Sequence, residues 1–200
     1  MTETTDRRGE IRDAALRVFA DCGFAKATMR QIAEEAGARS PGLIYHYFES
    51  KEGLFREVVR SSPVVSLVRD PGLMERPPGK VLRALAHTFL HTFDDPDAAA
   101  LMRILLSESV RNPDYVEELA RNGPQVVLGF LTVYFRHQQE LGTLRGFDPQ
   151  SVARAFMGML LFYVLSREVI TPLAEGLPPV DDYVDHVLDL FLGGAAAGKE

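Results

Sequence analysis

Tryptophan is absent from this 200-residue chain, and there is a single cysteine, Cys22. One thiol excludes an intramolecular disulfide and fits a reducing compartment. No apolar run reaches the roughly 18 residues that a membrane-spanning helix needs. The polar start MTETTDRRGEIRD lacks the pattern of a secretory leader, so a cytoplasmic protein is expected. Two-residue alternation of β-branched side chains is also missing, which argues against a sheet. So are a Gly-rich phosphate loop, a nucleophile elbow, an HExxH helix and a metal-spaced Cys/His cluster. These gaps weigh against an enzyme, and no catalytic residue, metal or cofactor is expected.

What the chain has is helical periodicity. With 46% hydrophobic residues it can bury a sizeable core. The first helix, about 8–22, carries Ile11, Ala14, Ala15, Val18, Phe19 and Cys22 on one stripe. Cys22 reads there as a small core residue. Arg7, Arg8 and Arg12 flank the stripe, free to meet solvent or phosphate. Gly23 ends this helix and Phe24 plugs the core behind it. The net charge of −6 is unevenly held. Residues 1–60 carry ten basic and ten acidic groups, while 61–200 carry 12 against 18. A neutral head before an acidic body is compatible with nucleic acid only if the basic groups face one way.

Residues 28–51, TMRQIAEEAGARSPGLIYHYFESK, organise the rest. Thr28 with Gln31 makes a capping box at the start of a short helix. Gly37 stops that helix. Ser40-Pro41 opens another, with Ser40 as N-cap and proline where its missing N–H costs nothing. Two short helices around a Gly-bearing turn are what a helix-turn-helix needs, the second lying in the major groove of DNA. On that second helix Ile44 and Phe48, four apart, form the inner side. Gly42 permits close backbone approach, Leu43 can touch a thymine methyl, and Tyr45, His46 and Tyr47 can hydrogen-bond to phosphate or base edges. Lys51 opens the next helix, where free N–H groups already favour phosphate. The second helix lacks Arg, Asn and Gln, which make bidentate base contacts. Readout is therefore expected to lean on Arg30, Arg39, apolar contacts and DNA shape.

These residues carry a family likeness. Thr28, Gln31-Ile32-Ala33, Ala36-Gly37, Leu43 to Phe48 and Ser50-Lys51-Glu52, with the amphipathic first helix and Phe24, resemble the DNA-binding domain of TetR-type (AcrR-like) transcriptional repressors. The resemblance is specific over about residues 8–60 and architectural beyond. Between Gly37 and Tyr45 the chain carries one residue more than the usual pattern. The resemblance implies an all-α fold of about nine helices. It implies a DNA-binding domain at 1–50, a linking helix at about 50–68, and an effector-binding and dimerisation domain over 51–200. It places Thr28, Arg30, Arg39, Ser40, Gly42, Leu43, Tyr45, His46, Tyr47 and Lys51 towards a DNA operator.

The remaining chain reads as five helices, at about 79–93, 97–111, 114–141, 149–170 and 180–192. Pro63 interrupts the linking helix, and 69–79 reads as a loop. Gly123-Pro124 breaks or bends the third of the five. Phe89, Phe93, Met102, Leu105, Phe130, Tyr134, Phe156 and Tyr163 can line an apolar effector pocket, with Glu108 as its polar group, or can be ordinary core. The helix at 149–170 is apolar all round: Val152, Ala155, Phe156, Met159, Leu160, Tyr163 and Val164 share one side, and Ala153, Met157, Leu161 and Leu165 another. A partner subunit is expected to cover it. With Val184, Val187, Leu188 and Phe191 of the last helix, Val152, Met157, Leu161, Val164 and Leu165 form the expected homodimer interface, a four-helix bundle on a twofold axis. His87 and His91 lie four apart with no third ligand nearby in sequence. The reading is a dimeric regulator, most directly a repressor released from a pseudo-palindromic operator by a small hydrophobic or amphipathic effector. The alternative is a helical interaction module or small-molecule binder without specific DNA readout.

Overall fold

The computed structural model describes residues 2–108 and 113–195, and side chains for 7–106, 117 and 119–194. Among the described residues there are eleven α-helices and no strand. Seven of the eleven begin on proline: α3 (Pro41–Tyr47), α5 (Pro63–Leu67), α6 (Pro78–Thr92), α7 (Pro96–Glu108), α8 (Pro113–Asn122), α9 (Pro124–Glu140) and α10 (Pro149–Glu168). At the first helical position the ring's fixed φ is already helical and the absent N–H has no partner to lose. The sequence suggested nine helices. The two extra arise because Pro63 and Pro124 each start a helix of their own. The expected loop at 69–79 contains a 3₁₀ turn at Pro71–Leu73.

The chain divides into two compact units, residues 1–62 with 95–123, and 63–94 with 124–200. The first unit holds α1 (Thr2–Lys26), α2 (Met29–Glu35), α3, α4 (Lys51–Arg60), α7 and α8. Regular α1 geometry breaks at Gly23, whose φ of 78° and ψ of 161° suit glycine alone. Ile11, Ala14, Ala15 and Phe19 are fully buried, as the stripe required, and Val18 and Cys22 are partly buried. Phe19, Phe24 and Phe55 pack ring against ring, with centroids 5.1–5.7 Å apart. Leu101 and Leu105 of α7 belong to the same cluster. The first unit therefore takes in α4 and a segment from the middle of the sequence, as well as the first 50 residues.

The second unit contains α5, α6, α9, α10 and α11 (Val180–Ala195). α6 packs on α11 and α5, and α9 packs on α10. Its core is Leu82, Leu85 and Leu90 of α6, Leu131, Tyr134 and Phe135 of α9, and Ala153, Phe156, Leu160 and Val164 of α10. Phe191 closes it, 5.7 Å from Phe135 and 5.1 Å from Phe156. The helical phase of α10 differs from the expectation: Ala153 is buried and Ala155 is exposed. Four residues expected between subunits, Val164, Val184, Val187 and Leu188, are instead buried in this unit's own core. Val152, Met157, Leu165 and Phe191 are partly buried, and Leu161 is exposed. Outward apolar positions on α10 and α11 outside the expected set include Phe162, 57% exposed, and Leu190, 73% exposed.

Candidate nucleic-acid interface

The segment around α2 and α3 is fixed by local hydrogen bonds. Thr28 Oγ1 accepts from the Gln31 N–H at 3.2 Å, and Gln31 Oε1 accepts from the Thr28 N–H at 2.9 Å. This reciprocal box holds the start of α2. Its end is a Schellman motif: the Ala38 N–H donates to Ala33 O at 2.8 Å and the Gly37 N–H to Glu34 O at 3.1 Å. Gly37 sits at φ 62° to make the reversal. Residues 37–40 then span to α3. Ser40 occupies the N-cap with extended backbone, but its hydroxyl makes no cap hydrogen bond.

α3 is two turns long, and its faces are distinct. Ile44 is fully buried and Phe48, its C-cap, nearly so. Tyr45, 54% exposed, and His46 point to solvent, with Gly42 exposed beside them. Leu43 and Tyr47 are half-buried, and the Tyr47 ring meets His46 edge-on at 5.2 Å. Arg8, on α1, clamps the far end of α3. Its guanidinium donates to Tyr47 O at 3.2 Å, lies 4.5 Å over the Phe48 ring and pairs with Glu57 at 3.6 Å. The sequence left Arg8 between solvent and phosphate, and nothing local could reveal a partner 39 residues away. Arg17, which the sequence did not single out, bonds Glu35 at 2.6 Å and braces α1 against α2.

The cations differ in their engagement. Lys51 Nζ donates to Phe24 O at 2.7 Å and Ala27 O at 2.9 Å, with Ala25 O at 3.4 Å, and lies 4.5 Å from the Phe24 ring centroid. Phe24 and Ala25 carry carbonyls of the last turn of α1, which an α-helix leaves without intrahelical partners, and Ala27 follows the helix. Lys51 is thus turned inward to bind the end of α1, away from the solvent face of α3. Arg30 is well exposed and pairs with Glu34 at 2.9 Å, a weak contact easily exchanged for phosphate. Arg39 is exposed in the turn.

The expected effector residues are dispersed. Leu105 is core of the first unit, and Met102 lies in the same unit on α7. The Glu108 side chain lies outside the described residues. Tyr134, Phe156 and Tyr163 are core of the second unit. The Tyr134 hydroxyl donates to Arg76 O at 2.7 Å and that of Tyr163 to Pro178 O at 2.8 Å. Phe93 is also buried, in edge contact with the half-buried Phe89, while half-buried Phe130 stacks on Tyr134.

Two family models match the chain. Residues 11–58 match "Bacterial regulatory proteins, tetR family", and residues 80–194 match "AefR-like transcriptional repressor, C-terminal domain". The chain is similar to the HTH-type transcriptional repressor AcnR of Corynebacterium glutamicum, 29% identical over 185 residues that cover 90% of this chain and 92% of the relative. Its fold resembles that of the fatty acid degradation regulator FadR from Bacillus halodurans, with a TM-score of 0.73, 22% identity, and 94% of this chain and 95% of that one covered. It also resembles SmeT, the repressor of the Stenotrophomonas maltophilia multidrug efflux pump SmeDEF. There the TM-score is 0.64 and the identity 25%, over 94% of this chain and 90% of that one.

Proposed function

This chain belongs to the TetR family of bacterial regulatory proteins and is a DNA-binding transcriptional repressor, and we propose that it acts as a twofold dimer released from its operator by a small apolar effector. The observation that carries the reading of the head is α3 itself: two turns, held from behind by Ile44, Phe48 and Arg8, that turn Tyr45 and His46 outward. A helix so short buries too little surface alone for specific binding. Two copies on a twofold axis read two half-sites of an inverted repeat.

In this reading Tyr45 and His46 reach base edges and phosphate, Leu43 meets a thymine methyl, and Gly42 lets the backbone come close. Tyr47 offers its hydroxyl from the flank. The hydroxyl of Ser40 and the guanidinium of Arg39 meet the phosphates beside the turn. Thr28 and Arg30 do the same at the start of α2. Lys51 contributes by holding the end of α1. The reading elements lie within residues 1–50, and the unit that holds them includes α4, α7 and α8. The dimer face is the outward side of α10 and α11, now centred on Leu161, Phe162 and Leu190, with Met157 and Leu165 at its margin. The effector enters the second unit near the half-buried Phe89, which meets Phe93 edge-on, and the half-buried Phe130, which stacks on Tyr134. No chemistry is catalysed, and the site of action is the bacterial cytoplasm, where the operator is. Effector binding lowers operator affinity by its preference for the state that does not bind DNA.

Fluorescence anisotropy on labelled duplexes tiling the DNA upstream of the protein's own gene tests this, at two salt concentrations with random DNA as competitor. One tile should bind tightly, with salt sensitivity and resistance to competitor. Tyr45→Ala with His46→Ala should weaken that tile at least tenfold, from about 1–3 kcal/mol per specific contact. Equal binding by the double variant would remove α3 as the reading element.

A further inference from the structure

We propose that His87, His91 and Asp181 form a binding site for a divalent transition-metal ion of the zinc type. α6 places the two histidines one turn apart, and α11 brings Asp181 to them. Asp181 Oδ1 lies 3.3 Å from His87 Nδ1 and 3.9 Å from His91 Nε2, and one donor atom from each residue falls within 4.8 Å of the others. Bonds of about 2.0–2.1 Å in a tetrahedral shell put neighbouring ligand atoms about 3.3 Å apart. The 3.3 Å pair already matches, while the rest of the set, spread over as much as 4.8 Å, has to draw together. The two imidazoles are stacked nearly parallel, at 5° and 5.9 Å between centroids. Each ring nitrogen's lone pair lies in its ring plane, so one imidazole must turn about its side-chain bonds for both to meet a shared cation.

A second layer fixes which nitrogen is offered. His91 Nδ1 lies 2.6 Å from Asp94 Oδ2, and Arg167 donates to Asp94 Oδ1 at 3.1 Å. The Asp94 carboxylate accepts a hydrogen bond from His91 Nδ1–H, which fixes that tautomer and leaves the Nε2 lone pair facing Asp181. This carboxylate–histidine arrangement is the usual outer shell of a metal-bound imidazole. Two imidazoles and one carboxylate favour zinc and its neighbours over magnesium or calcium, which prefer oxygen alone. The site is open to solvent, so water completes the shell. A bound ion ties the start of α11 to the later part of α6.

The test uses tag-free, full-length protein stripped with chelator and titrated with zinc by calorimetry, with cobalt(II) absorption as a second readout. One zinc per chain should bind and raise the melting temperature, because the ion binds the folded state. His87→Ala, His91→Ala and Asp181→Asn should each weaken binding at least tenfold and remove the cobalt bands. Asp94→Asn should weaken it by about tenfold through the outer shell alone. His186→Ala, an exposed histidine on α11 outside the set, should change nothing. Asp181 has a side chain 77% exposed, so its substitution leaves the fold intact. Absence of saturable binding in the parent chain, or full affinity retained in His91→Ala or Asp181→Asn, overturns the site.

Discussion

Lys51 shows how a residue's role depends on contacts that are remote in sequence. Its ammonium holds the carbonyls of Phe24 and Ala27 and covers the Phe24 ring. Lys51→Met removes a charged donor from two part-buried acceptors. We expect a loss of about 1–2 kcal/mol in urea unfolding, with the slope unchanged. An unmoved midpoint would mean that water replaces the lysine without cost. The Thr28 box was legible from the sequence because its partners are three residues apart. The carbonyls that Lys51 holds lie more than twenty residues away, so its chemistry was readable and its destination was not. The histidine pair follows the same rule. His87 and His91 were visible as neighbours on one helix, but the carboxylate that completes them comes from α11, about 90 residues later. Spacing reports neighbours within a helix and is silent on neighbours brought by the fold.

At the level of elements, helix ends were the most readable feature. Gly37 was assigned as a stop, and it is one, in the left-handed region at φ 62°. Gly23 was also assigned as a stop, and its backbone is more demanding, at φ 78° and ψ 161°. A Cβ at Gly37 meets nothing within 4 Å, whereas one at Gly23 comes within 3.1 Å of Ile104. Gly37→Ala should therefore cost about 1 kcal/mol, from the left-handed conformation alone. Gly23→Ala should cost about 2 kcal/mol, because that region is nearly closed to other residues and a neighbour must also give way. Chemical denaturation of both variants checks the order, and an equal loss would contradict the geometry. Prolines were read less well. Pro63 and Pro124 were seen as interruptions, and in the fold each opens a helix. A proline's effect on what precedes it is fixed by its ring, but whether a new helix follows depends on what the next residues can pack against.

For the whole molecule, periodicity revealed which helices were apolar but not which side of each was already covered. On α10 the pattern reads as apolar on two sides, and four interface residues expected from it and from α11 belong to the chain's own core. Burial within the unit selects others. Phe162→Asp should convert the proposed dimer to monomer in sedimentation velocity without loss of helical signal, and should weaken operator binding with it. A dimer that survives would place the interface elsewhere. The packing of α7 against α1 has a consequence for anyone recombining such regulators. Leu101 and Leu105 lie in one cluster with Phe19 and Phe55, so the first unit is discontinuous in sequence. A chimera joined after residue 62 would carry a head cut from part of its own core. To transplant this protein's address on DNA, residues 95–123 would have to travel with it.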